Sequence, residues 1–264
     1  MNKIVFALAL GTGLLLSLTT PTAQAAAIVQ TLATPEMTSS QFNSLFTPMS
    51  NAPTLTSSYQ FMNTPVSGTV QSQVFQGTGA ATGLYAYAFQ FAVNNTSSVS
   101  GEPTSVNSAS MQFNATPVLT NFIDNTSAKY AAYVVKDGQV GSIDLPTAAP
   151  GSVIQNPTSL AWQPGTKTGA LTFQYLDSTT NTGPLAAGAK SSTIVVISTQ
   201  PFTTQPVSLQ NANPQTSYPV AYSATGGEIQ PIPVPEPTTV LGWAGMIGAI
   251  ALARRYRRGQ STGV

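Results

Sequence analysis

The chain of 264 residues contains no cysteine and no histidine. Without cysteine there can be no disulfide framework, so an exported form must draw its stability from a hydrophobic core. The absence of both residue types excludes zinc sites built on thiolate or imidazole ligands. It also excludes catalytic triads of the Ser-His-Asp and Cys-His kinds. Several large enzyme classes are therefore ruled out before any motif is considered.

Charge is also scarce. Charged residues make up 6% of the chain, against roughly 25% in an ordinary soluble domain. Four of the nine positive charges lie in the last eleven residues, and the segment between the two ends keeps four lysines against seven acids. A weakly acidic body lacks the positively charged surface that binds nucleic acid, so we expect no nucleic-acid partner.

Uncharged polar residues, glycine and proline take the place of the missing charge, and hydrophobic residues make up 42% of the chain. This mixture favours strands and turns over helices, because exposed helix faces prefer Glu, Lys and Arg. The length allows one sizeable domain with a real core, or two small ones.

The first 25 residues have the three parts of a secretory signal peptide. Lys3 supplies the positive charge, residues 4–18 form an apolar stretch, and Ala23 and Ala25 are the small residues of the cleavage site. The apolar stretch is short for a membrane anchor, which needs about 20 residues. We expect cleavage after Ala25, with a second possible cut after Ala27.

The C-terminal end carries three features in a fixed order. A tether rich in proline and glycine, residues 226–237, contains the motif Pro235-Glu236-Pro237. Residues 238–253 carry no charge, and as a transmembrane helix they would span roughly 24 Å, a little less than a ~30 Å hydrocarbon core. The basic tail, residues 254–264, then follows.

The basic tail predicts the orientation in the membrane. Its arginines are Arg254, Arg255, Arg257 and Arg258. By the positive-inside rule they hold the C-terminus in the cytoplasm, so the body lies outside. The signal peptide requires the same orientation independently.

This order of Pro-Glu-Pro, short apolar helix and arginine cluster resembles the PEP-CTERM sorting signal of Gram-negative-type bacteria. The resemblance covers about 25 residues, from Val234 to Arg258. It implies processing by an exosortase, a membrane-embedded cysteine peptidase or transpeptidase, at or near Pro235, Glu236 and Pro237. It also links the protein to bacteria that produce exopolysaccharide. An ordinary C-terminal anchor behind a proline linker is the alternative.

The body, residues 26–225, is patterned mostly with a period of two, which predicts strands. Residues 84–93 place Tyr, Phe and Val on one face and mainly Ala on the other, and residues 170–177 alternate similarly. The β-branched run in residues 193–198 predicts a buried central strand. Weaker strands are expected at residues 69–75, 108–113, 118–123, 159–162 and 218–222.

Turn signals connect these strands. Asp137-Gly138 predicts a two-residue hairpin between residues 130–136 and 139–145, and residues 201–219 are interpreted as a loop. Ten or so short strands separated by Gly, Pro and Asn predict a mainly β fold, an antiparallel β-sandwich or jelly roll.

One helix is expected near the start of the body. Its apolar residues are spaced as on one helix face, at Phe42, Leu45, Phe46 and Met49. Thr38 and Gln41 are placed as a capping box, and a proline at position 48 limits the helix to two or three turns.

The late part of the body loosely resembles other PEP-CTERM proteins. Trp162, residues 185–188 and the Ser191-Ser192-Thr193 segment are similar to a recurring β-hairpin of that group. This resemblance implies no activity.

Candidate catalytic and binding motifs are weak. The glycine-rich residues 77–83 fit neither dinucleotide-binding nor Walker spacing and precede a strand, so we interpret them as a turn. Asp124, Asp137 and Asp144 leave a calcium site open, although no EF-hand loop is present. Lys190 and Ser191 are strand neighbours that point to opposite faces, which excludes a catalytic pair. Exposed aromatics could stack on sugars, but most are expected inside the core.

These observations predict an exported, exosortase-processed protein of the cell surface or extracellular matrix with a structural or interaction role, associated through the resemblance with exopolysaccharide. We expect no catalytic residue, no metal site and no cofactor. The expected partners are an exosortase and, through the C-terminal helix, the membrane. A carbohydrate-binding module is the alternative, and an extracellular enzyme such as a glycosidase is the third hypothesis.

Overall fold

The computed structural model describes residues 29–61, 64, 66–95, 105–123, 127–144, 154–165, 168–177, 182–211, 216–227 and 229. The predicted signal peptide, Pro-Glu-Pro motif, transmembrane helix and basic tail lie outside these residues. The described part contains one α-helix, α1 (Ser39–Leu45), and a short 3-10 helix (Gly79–Ala81). Its strands are β1 (Gln30–Leu32), β2 (Phe46–Pro48), β3 (Leu55–Gln60), β4 (Ser67–Gly77), β5 (Tyr85–Val93), β6 (Ser105–Val106), β7 (Ser108–Gln112), β8 (Ala132–Val135), β9 (Ile154–Gln155), β10 (Ser159–Pro164), β11 (Gly169–Gln174), β12 (Leu185–Ala186), β13 (Lys190–Ser191), β14 (Thr193–Ser198), β15 (Phe202–Gln210), β16 (Thr216–Ser217) and β17 (Val220–Ala224).

The strands form two large sheets and one short pair. The first sheet has the order β1-β10-β11-β7-β15, with β16 and β17 both pairing with β15. In the second sheet β8, β14, β5 and β4 are successive neighbours, β2 and β3 pair with β4, and β13 joins β5 to β9. Strands β6 and β12 pair separately, and all strand pairs except β9 with β13 are antiparallel. The predicted mainly β, antiparallel fold class is confirmed.

The two large sheets share a hydrophobic core. Its centre is aromatic: Phe89 and Phe91 of the second sheet lie 5.6 Å and 5.2 Å from Phe173 of the first, measured between ring centroids. All three side chains are buried. The alternation in residues 84–93 and 170–177 thus placed the large side chains on the faces that meet.

A second core covers the outer face of the second sheet. The small face of β5, at Ala86 and Ala88, packs there with Phe42 of α1 and Phe75 of β4. Both faces of β14 are therefore buried, and its four central residues alternate between the two cores. The buried central strand predicted at residues 193–198 is confirmed.

The predicted helix start and its cap are confirmed, but the helix is shorter than predicted and leaves out Phe46 and Met49. The Thr38 hydroxyl accepts a hydrogen bond from the backbone N–H of Gln41, and the Gln41 side chain accepts one from the backbone N–H of Thr38. The helix ends at Leu45 because Phe46 begins strand β2, which pairs with β4. Pairing with the sheet therefore stops the helix before the proline at position 48 does.

The hairpin predicted at Asp137-Gly138 is wrong. Strand β8 before it pairs with β14, not with residues 139–144. All four residues of β8 are buried, so pairing beside the apolar strand β14 buries more surface than a two-stranded ribbon would. The chain after Gly138 instead turns at Gly141, whose φ of 56° suits glycine.

The prediction of a loop across residues 201–219 is also wrong, because strand β15 occupies residues Phe202–Gln210. Its first half pairs with β17 and its second half, from Val207, pairs with β7. Pro206, which lacks a backbone N–H, lies at the change of partner. Proline is tolerated in a sheet at such an interruption, so this proline did not end the strand.

Two smaller predictions also differ from the structure. Residues 118–123 form no strand and make a single bridge, between Thr120 and Tyr130. In the proposed late hairpin, β12 pairs with β6 and β13 pairs with β5 and β9. The two short strands therefore do not pair with each other.

Candidate functional site

The residues that the sequence predicts to carry sorting and processing lie outside the described part of the chain. These are Ala23 and Ala25, the Pro235-Glu236-Pro237 motif, and Arg254, Arg255, Arg257 and Arg258. No helix among the described residues is long and apolar enough to cross a membrane. The processing site and the anchor therefore stay predictions.

A pocket with three charged residues in its lining lies beside the N-terminus of helix α1. It is lined by Glu36, Met37, Thr38, Lys136 and Asp137. The segment before the helix is fixed on β8 by a hydrogen bond of 2.9 Å from the backbone N–H of Met37 to the carbonyl oxygen of Val134. This placement brings one base and two acids together on the surface.

Each charged group of the pocket has a partner within the body. The Lys136 ammonium forms an ion pair with the Glu36 carboxylate. The Asp137 carboxylate accepts a hydrogen bond of 2.7 Å from the backbone N–H of Ser39, in the first turn of α1. Asp137, predicted as a turn residue and left open as a calcium ligand, therefore caps a helix.

Asp144 lies at a second polar cluster, on the outer face of β4 and β5. Its carboxylate is 3.6 Å from the ammonium of Lys190. Its backbone N–H donates to the side-chain oxygen of Gln71, and its carbonyl oxygen accepts from the side-chain nitrogen of Gln90. Asp144 is thus held by its backbone as well as by its charge.

The glutamines of this cluster hold the segment that follows β8. Besides Gln71 and Gln90, Gln73 accepts a hydrogen bond of 2.9 Å from the backbone N–H of Ser142. All three glutamine side chains are buried, and buried amides are stable only when they are hydrogen-bonded. Sequence reasoning missed this set, although the period-two spacing of residues 71 and 73 in a predicted strand gave the signal.

The described part of the chain contains no cluster of side chains that would support the calcium hypothesis. No group of three or more acidic side chains that could hold a metal ion occurs there. Asp137 and Asp144 have the separate partners given above, and Asp124 lies outside the described residues.

Ser191 is a structural residue and not a nucleophile paired with its neighbour. Its buried hydroxyl accepts a hydrogen bond of 2.9 Å from the backbone N–H of Phe91 and donates one of 2.8 Å to the carbonyl oxygen of Ser192. The Lys190 side chain faces Asp144 instead. The glycine-rich residues 77–83 connect β4 to β5 through the 3-10 helix, as a turn.

Buried tyrosines are the groups whose protonation the fold changes most. Burial raises the pKa of the Tyr59, Tyr87 and Tyr175 hydroxyls far above the ordinary value, and desolvation also raises that of Tyr222. The hydroxyls of Tyr59, Tyr87 and Tyr222 donate to backbone carbonyl oxygens. These tyrosines are neutral groups near neutral pH and are poorly suited to proton transfer there.

Most aromatic side chains of the described residues face the two cores. Trp162 is fully buried, and its ring lies 6.3 Å from that of Phe113. Among the described aromatic residues, Tyr218 is the exposed one, with 63% of its surface accessible to solvent. Comparisons with protein-family models, curated proteins and solved structures found no match for this chain.

Proposed function

We propose that this protein is exported, anchored by residues 238–253 and then cut by an exosortase at or near Pro235, Glu236 and Pro237. Its body, an antiparallel β-sandwich, then acts as a structural or interaction component of the cell surface or extracellular matrix, in association with exopolysaccharide. The host is a Gram-negative-type bacterium. The observation that carries the proposal is the order of motif, apolar helix and arginine cluster at the C-terminal end.

The structure supports a non-catalytic body through the roles of its charged groups. Glu36, Asp137 and Asp144 are each occupied by a lysine or a backbone N–H. A glycosidase needs two carboxyl groups placed on either side of a scissile bond. Here Glu36 forms an ion pair with Lys136, Asp137 caps helix α1, and Asp144 pairs with Lys190.

The carbohydrate-binding alternative needs aromatic faces presented to solvent. Tyr218 alone offers one among the described residues, and the other large rings mainly fill the cores. Saturable, sugar-specific binding that a Tyr218→Ala substitution abolishes would favour this alternative over the structural role.

The experiment compares processing in a host that has an exosortase with processing in the same host without it. The Glu236→Ala variant should remain membrane-anchored and uncut, since the motif is proposed to be read by the enzyme. Glu228→Ala, an acid in the same tether but outside the motif, is the matched control and should be cut like the wild type. Equal cutting of both variants and the wild type would contradict the proposal.

A further inference from the structure

The described chain enters the first sheet at one definite end. Gln30 of β1 pairs with Trp162 of β10, and Leu32 pairs with Leu160. Because the strands are antiparallel, Val29 lies on the side of Gln30 nearer the tight connection between β10 and β11. That connection joins Pro164 to its partner Gly169.

The chain leaves the body at the same end. The last strand, β17, finishes at Ala224, whose carbonyl oxygen accepts a hydrogen bond of 2.9 Å from the backbone N–H of Asn114. The backbone N–H of Gly227 then donates to the carbonyl oxygen of Asn114, at 3.2 Å. Asn114 follows Phe113, whose backbone N–H donates to the carbonyl oxygen of Gly169. Both ends of the body therefore lie beside the β10–β11 connection.

The second sheet contributes its own turns to this end. Only three residues, 199–201, link Ser198 of β14 to Phe202 of β15, and the backbone N–H of Thr225 donates to the carbonyl oxygen of Pro201. Ser198 pairs with Tyr85 at the start of β5, next to the turn at residues 78–84. We call the turns 78–84, 114–117 and 199–201, together with Gly165 and Thr168 of the β10–β11 connection, the terminal end.

We infer that the terminal end faces the lipid bilayer while the protein is anchored, and that the opposite end is directed away from it. This inference rests on the proposed function, because it requires the C-terminal helix to lie in the membrane. Eight residues, 230–237, separate Ile229 from the apolar helix. In an extended proline-rich conformation they reach about 25 Å.

Such a short tether restricts the orientation of the body. Ile229 packs against the core, so the tether is held on the body up to this residue and its last eight residues start from there. Strand β4, with 11 residues, spans about 36 Å at roughly 3.3 Å per residue. The far end of the sheets would thus lie about one body length further from the bilayer, where matrix components can reach it.

The same geometry lets the body fold before either end is cut. The C-terminal segment is hydrogen-bonded to Asn114, just beyond the end of β7. In the first sheet, β7 and the N-terminal strand β1 are three strand spacings apart, which is about 14 Å. A chain held in the bilayer by both its signal peptide and its C-terminal helix can therefore complete both sheets. Termini at opposite ends would require one short connection to cross the whole body.

The experiment uses the absence of cysteine, which allows single labelling sites to be introduced. Ala80→Cys and Thr168→Cys lie at exposed positions of the terminal end, and Asn95→Cys and Gln60→Cys lie at exposed positions of the far end. Each full-length variant, purified uncut from a host without exosortase, carries a donor dye. It is reconstituted into phosphatidylcholine–phosphatidylglycerol vesicles with an acceptor dye on the lipid headgroups.

Energy transfer should be stronger from positions 80 and 168 than from positions 60 and 95. Inserting about 30 Gly and Ser residues after residue 230 should shrink this difference, because a flexible linker of that length reaches roughly 30 Å on average. Equal transfer from both ends in chains that float with the vesicles would overturn the inference and leave the anchoring intact. Chains that fail to float with vesicles would overturn the anchoring proposal and this inference together.

Discussion

The Asp137 carboxylate accepts a hydrogen bond of 2.7 Å from the backbone N–H of Ser39, a residue 98 positions earlier in the chain. Ser39 is the first residue of α1, so this bond satisfies one of the N–H groups that a helix leaves unpaired at its start. It also fixes the helix to the end of β8. Asp137, which the sequence predicts as a turn residue, therefore joins two distant segments of the second core.

Replacing Asp137 with alanine should lower the free energy of unfolding by about 0.5–2 kcal/mol, the usual cost of losing a helix cap. Asp137→Asn keeps an acceptor oxygen and should lose less. Urea unfolding of the purified body measures both variants. If Asp137→Ala and the wild type unfold at the same urea concentration, the bond contributes nothing and the helix is held by packing alone.

Phe89 tests the shared core. Its ring is fully buried against Phe173, so Phe89→Ala should cost about 3–5 kcal/mol. Tyr218→Ala, at an exposed position, is the control and should change the free energy of unfolding by less than about 0.5 kcal/mol. Similar small losses for both variants would mean that the two sheets do not meet as described.

Local patterning predicted the strands that bury one face or both. The alternation around Phe89 and Phe173 and the run from Ile194 to Ile197 gave strands close to their observed bounds, because burial fixes the register. The Thr38–Gln41 capping box likewise predicted the helix start, because its hydrogen bonds are local.

The misses depend on contacts between distant segments. Asp137-Gly138 has the local chemistry of a hairpin, but β8 gains more burial from pairing with β14. Pro206 signals a break, but the change of partner strand at that residue removes the cost of its missing N–H. The glutamine cluster at Gln71, Gln73 and Gln90 bonds to a loop more than 50 residues later in the chain, and local patterning does not predict such contacts.

Gly169 tests the packing at the terminal end. A methyl group at this position would collide with the ring of Trp162 and approach the carbonyl oxygen of Phe113, so Gly169→Ala should cost about 1–3 kcal/mol through overpacking. Gly183 has open space around it, and Gly183→Ala is the matched control. Thermal unfolding followed by circular dichroism compares the two. Equal melting temperatures would contradict the close approach of β11 to Trp162.

Buried tyrosines predict a loss of stability at alkaline pH. The pKa values of Tyr59, Tyr87, Tyr175 and Tyr222 are raised in the folded state above the ordinary 10.0. The unfolded chain therefore releases these protons first, and the free energy of unfolding falls as the pH rises above about 10. Below that pH the contribution is fully present.

The melting temperature should accordingly be lower at about pH 11 than at pH 8. Tyr175→Phe removes one buried hydroxyl and should reduce the alkaline loss, which makes it the control for chemical damage at high pH. A melting temperature that stays constant to about pH 11 in the wild type would show that these hydroxyls ionise freely in the folded state.

The arginine cluster tests the predicted orientation. Changing Arg254, Arg255, Arg257 and Arg258 together to glutamine should weaken retention of the C-terminus in the cytoplasm, because the positive-inside rule depends on these charges. A tag at the C-terminus, probed with protease in intact and opened cells, reports its side. Unchanged protection of the tag in the quadruple variant would mean that other features set the orientation.

Mass spectrometry of the C-terminus of the surface-released protein, in a host that has an exosortase, tests the central claim most directly. The account predicts a C-terminal residue at or near Pro235, Glu236 and Pro237, with the apolar helix and the basic tail removed. Released protein that still carries Arg254, Arg255, Arg257 and Arg258 would contradict the sorting-signal hypothesis. The C-terminal end would then be an ordinary membrane anchor.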